Sequence, residues 1–104
     1  MALELHVRGE VEYGRLPEFL DAAEAWRAYR AAHGWAVPRI LHGLSGPMNL
    51  VVMIFTYPDA NRLEEEETAS AADPDYAVIA QRLGFREPTL AHELFRVSDD
   101  PPRD

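Results

Sequence analysis

The sequence contains no cysteine, no lysine and no long apolar run. Without cysteine the chain can form neither a disulfide nor a thiolate metal site, and thiol catalysis is excluded. No apolar run reaches the ~20 residues of a membrane-spanning helix, and Glu4, His6 and Arg8 interrupt the N-terminus where a signal peptide would be apolar. The net charge of −8 disfavours nucleic acid, whose phosphates require a basic surface. These absences predict a cytoplasmic protein that binds neither membranes nor nucleic acid.

The 104 residues suffice for one domain with a single hydrophobic core. Hydrophobic periodicity predicts six elements within residues 1–98, followed by a polar, disordered tail at 99–104. The predicted strands are Leu3–Arg8, Trp35–Leu44, Leu50–Tyr57 and Thr89–Val97. Helical spacing and capping signals predict one helix that ends near Ala32, and a second that begins at Asp59, restarts at Asp73-Pro74 and ends at Gly84.

The predicted element order, β-α-β-β-α-β, is typical of an α+β, ferredoxin-like fold. A tight turn at Ser45-Gly46-Pro47 is expected to join the second and third strands into a hairpin. Right-handed crossovers place the first and third strands at the centre of a four-stranded antiparallel sheet, with both helices on one face. The other face is left without cover from the chain itself.

The third strand is apolar at nearly every position, which predicts a strand buried on both faces. We interpret Val52 and Ile54 as packing against the helices. The alternative is that the other alternating set of the strand, which includes Met53 and Phe55, faces the helices. In the first interpretation, the face away from the helices would carry Val51, Met53, Phe55 and Tyr57 of the third strand and Glu4, His6 and Arg8 of the first. Such a face is too apolar for bulk water. It predicts a homodimer in which two sheets pack together and curve into a barrel around a small-molecule cavity.

Three segments also carry a family resemblance: Gly14–Leu20 at the start of the first helix, Gly46–Tyr57 at the third strand, and Ala72–Tyr76 at the helix restart. Together they resemble the NIPSNAP family of the dimeric α/β-barrel superfamily. Phe55 and Tyr76 stand where that family usually has Trp, and His6 where Arg is frequent. The resemblance implies a dimeric barrel. It implies little about chemistry, because the superfamily includes monooxygenases, isomerases, decolorising peroxidases and binding proteins.

The candidate site residues are those that a barrel interior would bring together. His6 and His92, on neighbouring strands, are a possible general base and its partner. Tyr57 can donate a hydrogen bond to a carbonyl or enolate oxygen. These three are the catalytic candidates, and the ligand-binding candidates are His6, Arg8, His42, Met53, Phe55 and Tyr57. Each has a structural alternative as a packing, ion-pairing or solvent-edge residue.

The sequence predicts no metal and no cofactor. The four histidines lack the close helical spacing of a zinc motif, and there is no phosphate-binding loop. Glu64–Glu67 is expected to be a solvated helix face, because consecutive helical residues fan around the axis and do not converge on one ion. His33 is expected to lie at the end of the first helix, where its charge suits the negative terminus.

Three functions are consistent with these features. The first is a homodimeric barrel that binds a small hydrophobic or aromatic molecule. The second is a cofactor-independent monooxygenase or isomerase acting on an enolisable or aromatic substrate, which would require His6, His92 and Tyr57 to converge. The third is a structural dimer whose barrel is filled with side chains.

Overall fold

A computed structural model describes residues 2–44 and 48–98 of the chain. The elements are β1 (Leu3–Glu10), α1 (Leu16–Ala32), β2 (Arg39–His42), β3 (Leu50–Tyr57), α2 (Ala60–Ala72), α3 (Pro74–Gln81), a 3-10 turn (Glu87–Thr89) and β4 (Ala91–Arg96). The predicted turn at 45–47 and the predicted tail at 99–104 lie outside the described residues. None of the helices among the described residues combines the length and the hydropathy that a membrane crossing requires.

The four strands form one antiparallel sheet in the order β2-β3-β1-β4. β1 and β3 lie at its centre and pair along their whole length, from Leu3 opposite Tyr57 to Glu10 opposite Leu50. The N–H of Gly43 donates to the carbonyl of Leu50 at 2.9 Å, which continues the β2–β3 pairing toward the connecting turn. The predicted ferredoxin-like topology is confirmed.

The helix boundaries follow from capping groups that are visible in the sequence. Asp59 caps α2, since its carboxylate accepts a hydrogen bond from the N–H of Arg62 at 2.9 Å. Asp73 interrupts the helix and caps α3 by accepting from the N–H of Asp75 at 3.0 Å, and Pro74 occupies the first position of α3. At the end of α1, His33 is the C-cap and Gly34 adopts a φ of +71°, a conformation that suits glycine. The predicted restart at Asp73 and the predicted helix end at His33 are confirmed.

The outer two strands are shorter than predicted. Pro38 has no N–H to donate to a ladder, and β2 begins only after it, at Arg39. Trp35, expected in this strand, instead packs its ring against Tyr76 at 5.6 Å between centroids. On the other edge Pro88 belongs to a 3-10 turn, so β4 begins at Ala91.

The orientation proposed for β3 is wrong, and the alternative parity is the observed one. Val51, Met53, Phe55 and Tyr57 are buried in the core against the helices, where they join Phe19, Ala23 and Trp26 of α1. Both alternating sets of β3 are apolar, so period-two alternation does not decide between them. Side-chain size decides which set faces the helices. The space between a sheet and a helix layer is filled by the long Met, Phe and Tyr side chains, whereas β-branched Val52 and Ile54 suit the opposite face.

The face of the sheet without helices is called here the outer face. By strand register it comprises Glu4, His6, Arg8, Glu10, Arg39, Leu41, Leu50, Val52, Ile54, Thr56, Ala91, Glu93 and Phe95. Leu41 is 48% exposed and Phe95 is 44% exposed on this face. The first strand therefore presents Glu4, His6 and Arg8 as predicted, but beside Val52 and Ile54 instead of Met53 and Phe55.

Candidate functional site

A cavity of about 290 Å³ lies between the sheet and the helices. Its volume is at the small end of the roughly 300–1,000 Å³ typical of ligand sites. Strand residues Leu5, Val7, Met53 and Phe55 line one side, and Trp26, Ala80 and Leu83 line the helical side. The cavity thus combines an apolar body with a polar end, which is formed by Arg30, Tyr57, Glu66 and Tyr76.

Arg30 is the central residue of the polar end and is only 4% exposed. It lies on the buried stripe of α1 formed by Phe19, Ala23 and Trp26, at helical spacing. Its Nη2 lies 3.2 Å from Oε2 of Glu66, which is 5% exposed. The same helical periodicity that buries Trp26 therefore carries a guanidinium into the core, where a buried carboxylate is its counter-charge.

The remaining hydrogen bonds of Arg30 fix its position. Nε donates to the carbonyl of Ala36 at 2.6 Å, and Nη1 donates to the hydroxyl of Tyr76 at 2.9 Å. Nη2 also approaches the hydroxyl of Tyr57 at 3.5 Å. Aromatic rings surround the guanidinium carbon, with the centroid of Phe55 at 4.8 Å and that of Trp26 at 5.4 Å. The guanidinium is held rigidly by polar and aromatic contacts together.

Glu66 contradicts the prediction that Glu64–Glu67 is entirely solvated. Its Oε1 accepts from the N–H of Ala36 at 2.9 Å and lies 3.4 Å from Nε of Arg62, which is largely exposed. Spacing could have indicated this, because one of four consecutive helical residues must face the core. What the sequence could not reveal is the buried partner that makes a carboxylate acceptable there.

Tyr57 lies where β3 reaches the polar end of the cavity. Burial raises the pKa of its hydroxyl well above the ordinary value, and the positive charge of Arg30 offsets this only in part. Tyr57 therefore remains protonated at neutral pH. Tyr57 ends its strand as expected, but on the helix side of the sheet, and hydrogen bonding from Tyr57 to a ligand stays a prediction.

A second hydrogen-bonded group joins the helices that form the cavity wall. The Tyr29 hydroxyl donates a hydrogen bond to Asp73, which raises the pKa of Tyr29 to about 12. The same bond lowers the pKa of Asp73. Since Asp73 caps α3, this contact attaches the start of α3 to α1. Tyr76, one turn further along, is thereby positioned beside Arg30.

The expected convergence of His6, His92 and Tyr57 is wrong. His6 lies on the outer face opposite Glu93, whereas His92 lies opposite Val7 and lines the cavity. His92 and Tyr57 share a face but are four residues and two strands apart, or roughly 16 Å between Cα atoms at 3.3 Å per residue and 4.8 Å per strand. They would contact opposite ends of one ligand and not a single reacting atom.

The other candidates fall in three places. Met53 and Phe55 line the cavity together with Tyr57, while Arg8 lies with His6 on the outer face. His6 donates from Nε2 to Glu4 at 2.7 Å, a carboxylate two residues away on the same strand face. His42 is exposed at the end of β2, beside a separate hollow of about 260 Å³. Ligand binding by each of these residues stays a prediction.

The described residues contain no group of three or more histidine, aspartate or glutamate side chains arranged to hold a metal ion.

The residues that sequence reasoning did not single out as site residues are Arg30, Glu66, Trp26 and Tyr76. Arg30 extends the buried stripe of α1, and Glu66 follows the partly buried Leu63 by one turn of α2, so periodicity carries a usable signal for both. The pairing between α1 and α2 depends on tertiary packing and has no local signal.

No protein-family model matches this sequence, and no curated protein matches it significantly. Solved structures do match its fold. A NIPSNAP family protein of unknown function from Agrobacterium tumefaciens is similar at a TM-score of 0.76 and 15% identity, over 97% of this chain and 92% of that one. An uncharacterised NIPSNAP domain protein from Burkholderia xenovorans is similar at 0.70 and 24% identity, over 100% of both chains.

A third similar structure has an activity in its description. A variant of SnoaB, a cofactor-independent oxygenase from Streptomyces nogalater, is similar at a TM-score of 0.71 and 20% identity, over 98% of both chains. At such identities the similarity establishes the fold alone. The chain therefore has a NIPSNAP-like fold, as the sequence resemblance implied.

Proposed function

We propose that this NIPSNAP-like chain forms a homodimer through the outer face and binds a small apolar or aromatic molecule in each subunit. The ligand occupies the cavity between sheet and helices, because the apolar candidates Met53 and Phe55 line that cavity and not the outer face. The observation that carries the proposal is an apolar cavity that ends in a fixed cluster of buried polar groups. Such a combination of apolar walls and few oriented polar groups is typical of ligand sites.

The outer face supports the dimer. Its centre is apolar, with Val52 and Ile54 flanked by the exposed Leu41 and Phe95. Acidic and basic side chains of both signs surround this centre, namely Glu4, Arg8, Glu10, Arg39 and Glu93. A two-fold contact places each side chain against the same surface of the partner, so a face with both signs of charge can pair with itself.

The dimer is tested by mass. Light scattering at tens of micromolar should give twice the 11.7 kDa of one chain. Val52→Glu should halve that mass, because it places a charge at the centre of the contact. Val78→Glu, the same change at an exposed position of α3, should leave the mass unchanged. A wild-type mass of a single chain would contradict the dimer.

Ligand binding is tested by thermal unfolding with a set of bicyclic and tricyclic aromatic compounds. A compound at 100 times its dissociation constant should add about 2.7 kcal/mol to the free energy of unfolding. Ala80→Phe should abolish the shift, since Ala80 lines the cavity and the added ring fills it. Ala77→Phe, on the exposed side of α3, is the matched control. Stabilisation that survives Ala80→Phe would place the ligand elsewhere.

A second function is a cofactor-independent oxygenase or isomerase acting on an aromatic substrate. The observation that favours it is His92 in the cavity wall, an imidazole able to accept a proton from a bound ligand. The likeness to SnoaB is one of fold and adds no residue to this argument. The third function, a structural dimer without a pocket, predicts no stabilisation by any compound in the thermal experiment.

A further inference from the structure

The hydrogen-bonding capacity left over at the polar end of the cavity consists of donors. A guanidinium has five N–H groups and no acceptor. Four of those of Arg30 are directed to Ala36, Tyr57, Glu66 and Tyr76. The fifth, on Nη1, has no acceptor within residues 2–44 and 48–98.

Two further donors belong to the same wall. Tyr76 accepts a hydrogen bond from Arg30 through its hydroxyl oxygen, and its own proton has no acceptor among the described residues. Trp26 is only 3% exposed, and its indole N–H is buried without a partner in the part of the chain that the structure describes. Indole nitrogen can only donate. The indole N–H is enclosed by protein, whereas the donors of Arg30 and Tyr76 belong to the cavity lining and are satisfied when a ligand brings an acceptor.

Both oxygens of the one buried carboxylate at this end are already paired with protein donors. Oε1 of Glu66 accepts from Ala36 and pairs with Arg62, while Oε2 pairs with Arg30. Glu67 and His92 also line the cavity, but both are exposed and accessible to water. A ligand donor at the Arg30 end would therefore share an oxygen that a protein group already uses, whereas a ligand acceptor would meet donors that have no partner.

We propose that the cavity selects planar apolar molecules that carry an acceptor oxygen, a carbonyl or carboxylate, and that this oxygen lies beside Arg30 and Tyr76. The inference rests on the proposed function and specifies the ligand class of the same site. Arg30 lines this end of the cavity directly, and the second carboxylate of the lining, Glu67, is exposed to water, so a negative charge on the ligand beside Arg30 is accepted. A positive charge is not, because it would lie beside a guanidinium that cannot lose its proton.

The test compares four probes with one naphthalene body and different head groups by calorimetry on the wild-type protein. The probes are naphthoate, methyl naphthyl ketone, ethylnaphthalene and naphthylmethylamine. Ethylnaphthalene is the most apolar, so partitioning alone ranks it above the ketone. Hydrogen bonds from the wall should reverse this order. The ketone and naphthoate should bind about tenfold more tightly than ethylnaphthalene, and the amine most weakly.

A conservative substitution assigns the effect to the wall. Tyr76→Phe removes one donor and keeps the ring, so the preference for ketone over ethylnaphthalene should fall about fivefold while ethylnaphthalene affinity stays the same. Tyr13→Phe, at an exposed tyrosine outside this cavity, should change neither affinity.

The outcomes separate this inference from the proposed function. If ethylnaphthalene binds as tightly as the ketone, or the amine binds best, the acceptor requirement is overturned while ligand binding stands. If none of the four probes binds, both proposals are overturned. Because the ranking is measured on the wild type, the result does not depend on the stability of any variant.

Discussion

Arg30→Met should destabilise the protein by about 3–5 kcal/mol, because it leaves the carboxylate of Glu66 buried without its main counter-charge. The unfolding free energy of a typical domain is only about 5–15 kcal/mol, so this loss is a large fraction of the total stability. Arg62 compensates only in part for the missing charge of Arg30. Its Nε lies 3.4 Å from Glu66, but its side chain is exposed to water, which weakens the ion pair. The measurement is urea unfolding followed by circular dichroism at a fixed chain concentration.

The double variant Arg30→Met with Glu66→Met distinguishes a buried ion pair from two independent core residues. Replacing both members with apolar side chains of similar volume is often close to neutral. The double variant should therefore be more stable than Arg30→Met alone. If the losses of unfolding free energy in the two single variants simply added up in the double variant, the two side chains would not interact as their 3.2 Å separation indicates.

Phe55→Ala should destabilise the protein by about 3–5 kcal/mol, the range for deletion of a buried aromatic ring. Phe55 is 4% exposed, packs edge-to-face on Trp26 at 5.7 Å between centroids, and lies under the guanidinium of Arg30. The deletion would remove both contacts and leave a void in the core. Chemical unfolding of the purified variant measures the loss.

Phe95→Ala is the matched control, because Phe95 lies in the same sheet but on the outer face. Its ring packs against that of His6, at 4.7 Å between centroids, and is 44% exposed. We expect a change in unfolding free energy below about 1 kcal/mol at the level of the single chain, together with weaker self-association. If Phe95→Ala lowered the unfolding free energy of the single chain more than Phe55→Ala does, the assignment of the two faces would be contradicted.

The fold could be predicted because its determinants are local. The caps at Asp59 and Asp73, the helix end at Gly34 and the period of the first strand each act over a few residues. Together these signals define the element order, and the rule for crossovers then defines the strand order. The edge strands were less predictable, since β2 and β4 begin only after prolines that interrupt hydrogen bonding and not where apolar character begins.

The site was predicted less well because it depends on which face of β3 meets the helices. With apolar residues at both parities, the sequence of that strand carries little information on its orientation. Arg30 and Glu66 were missed for a related reason. Charged residues are usually exposed, and their burial becomes acceptable only when two helices distant in sequence bring opposite charges together.

The alternation along β3 has a consequence for how this protein can evolve. Because odd-numbered residues of the strand face the core and the helices and even-numbered ones form the outer face, substitutions can change either surface without altering the other. Insertions and deletions have no such freedom. Loss of one residue within the strand would exchange the two surfaces, moving Met53 and Phe55 to the outside and Val52 and Ile54 into the core. The length of this strand is therefore under stricter constraint than its composition.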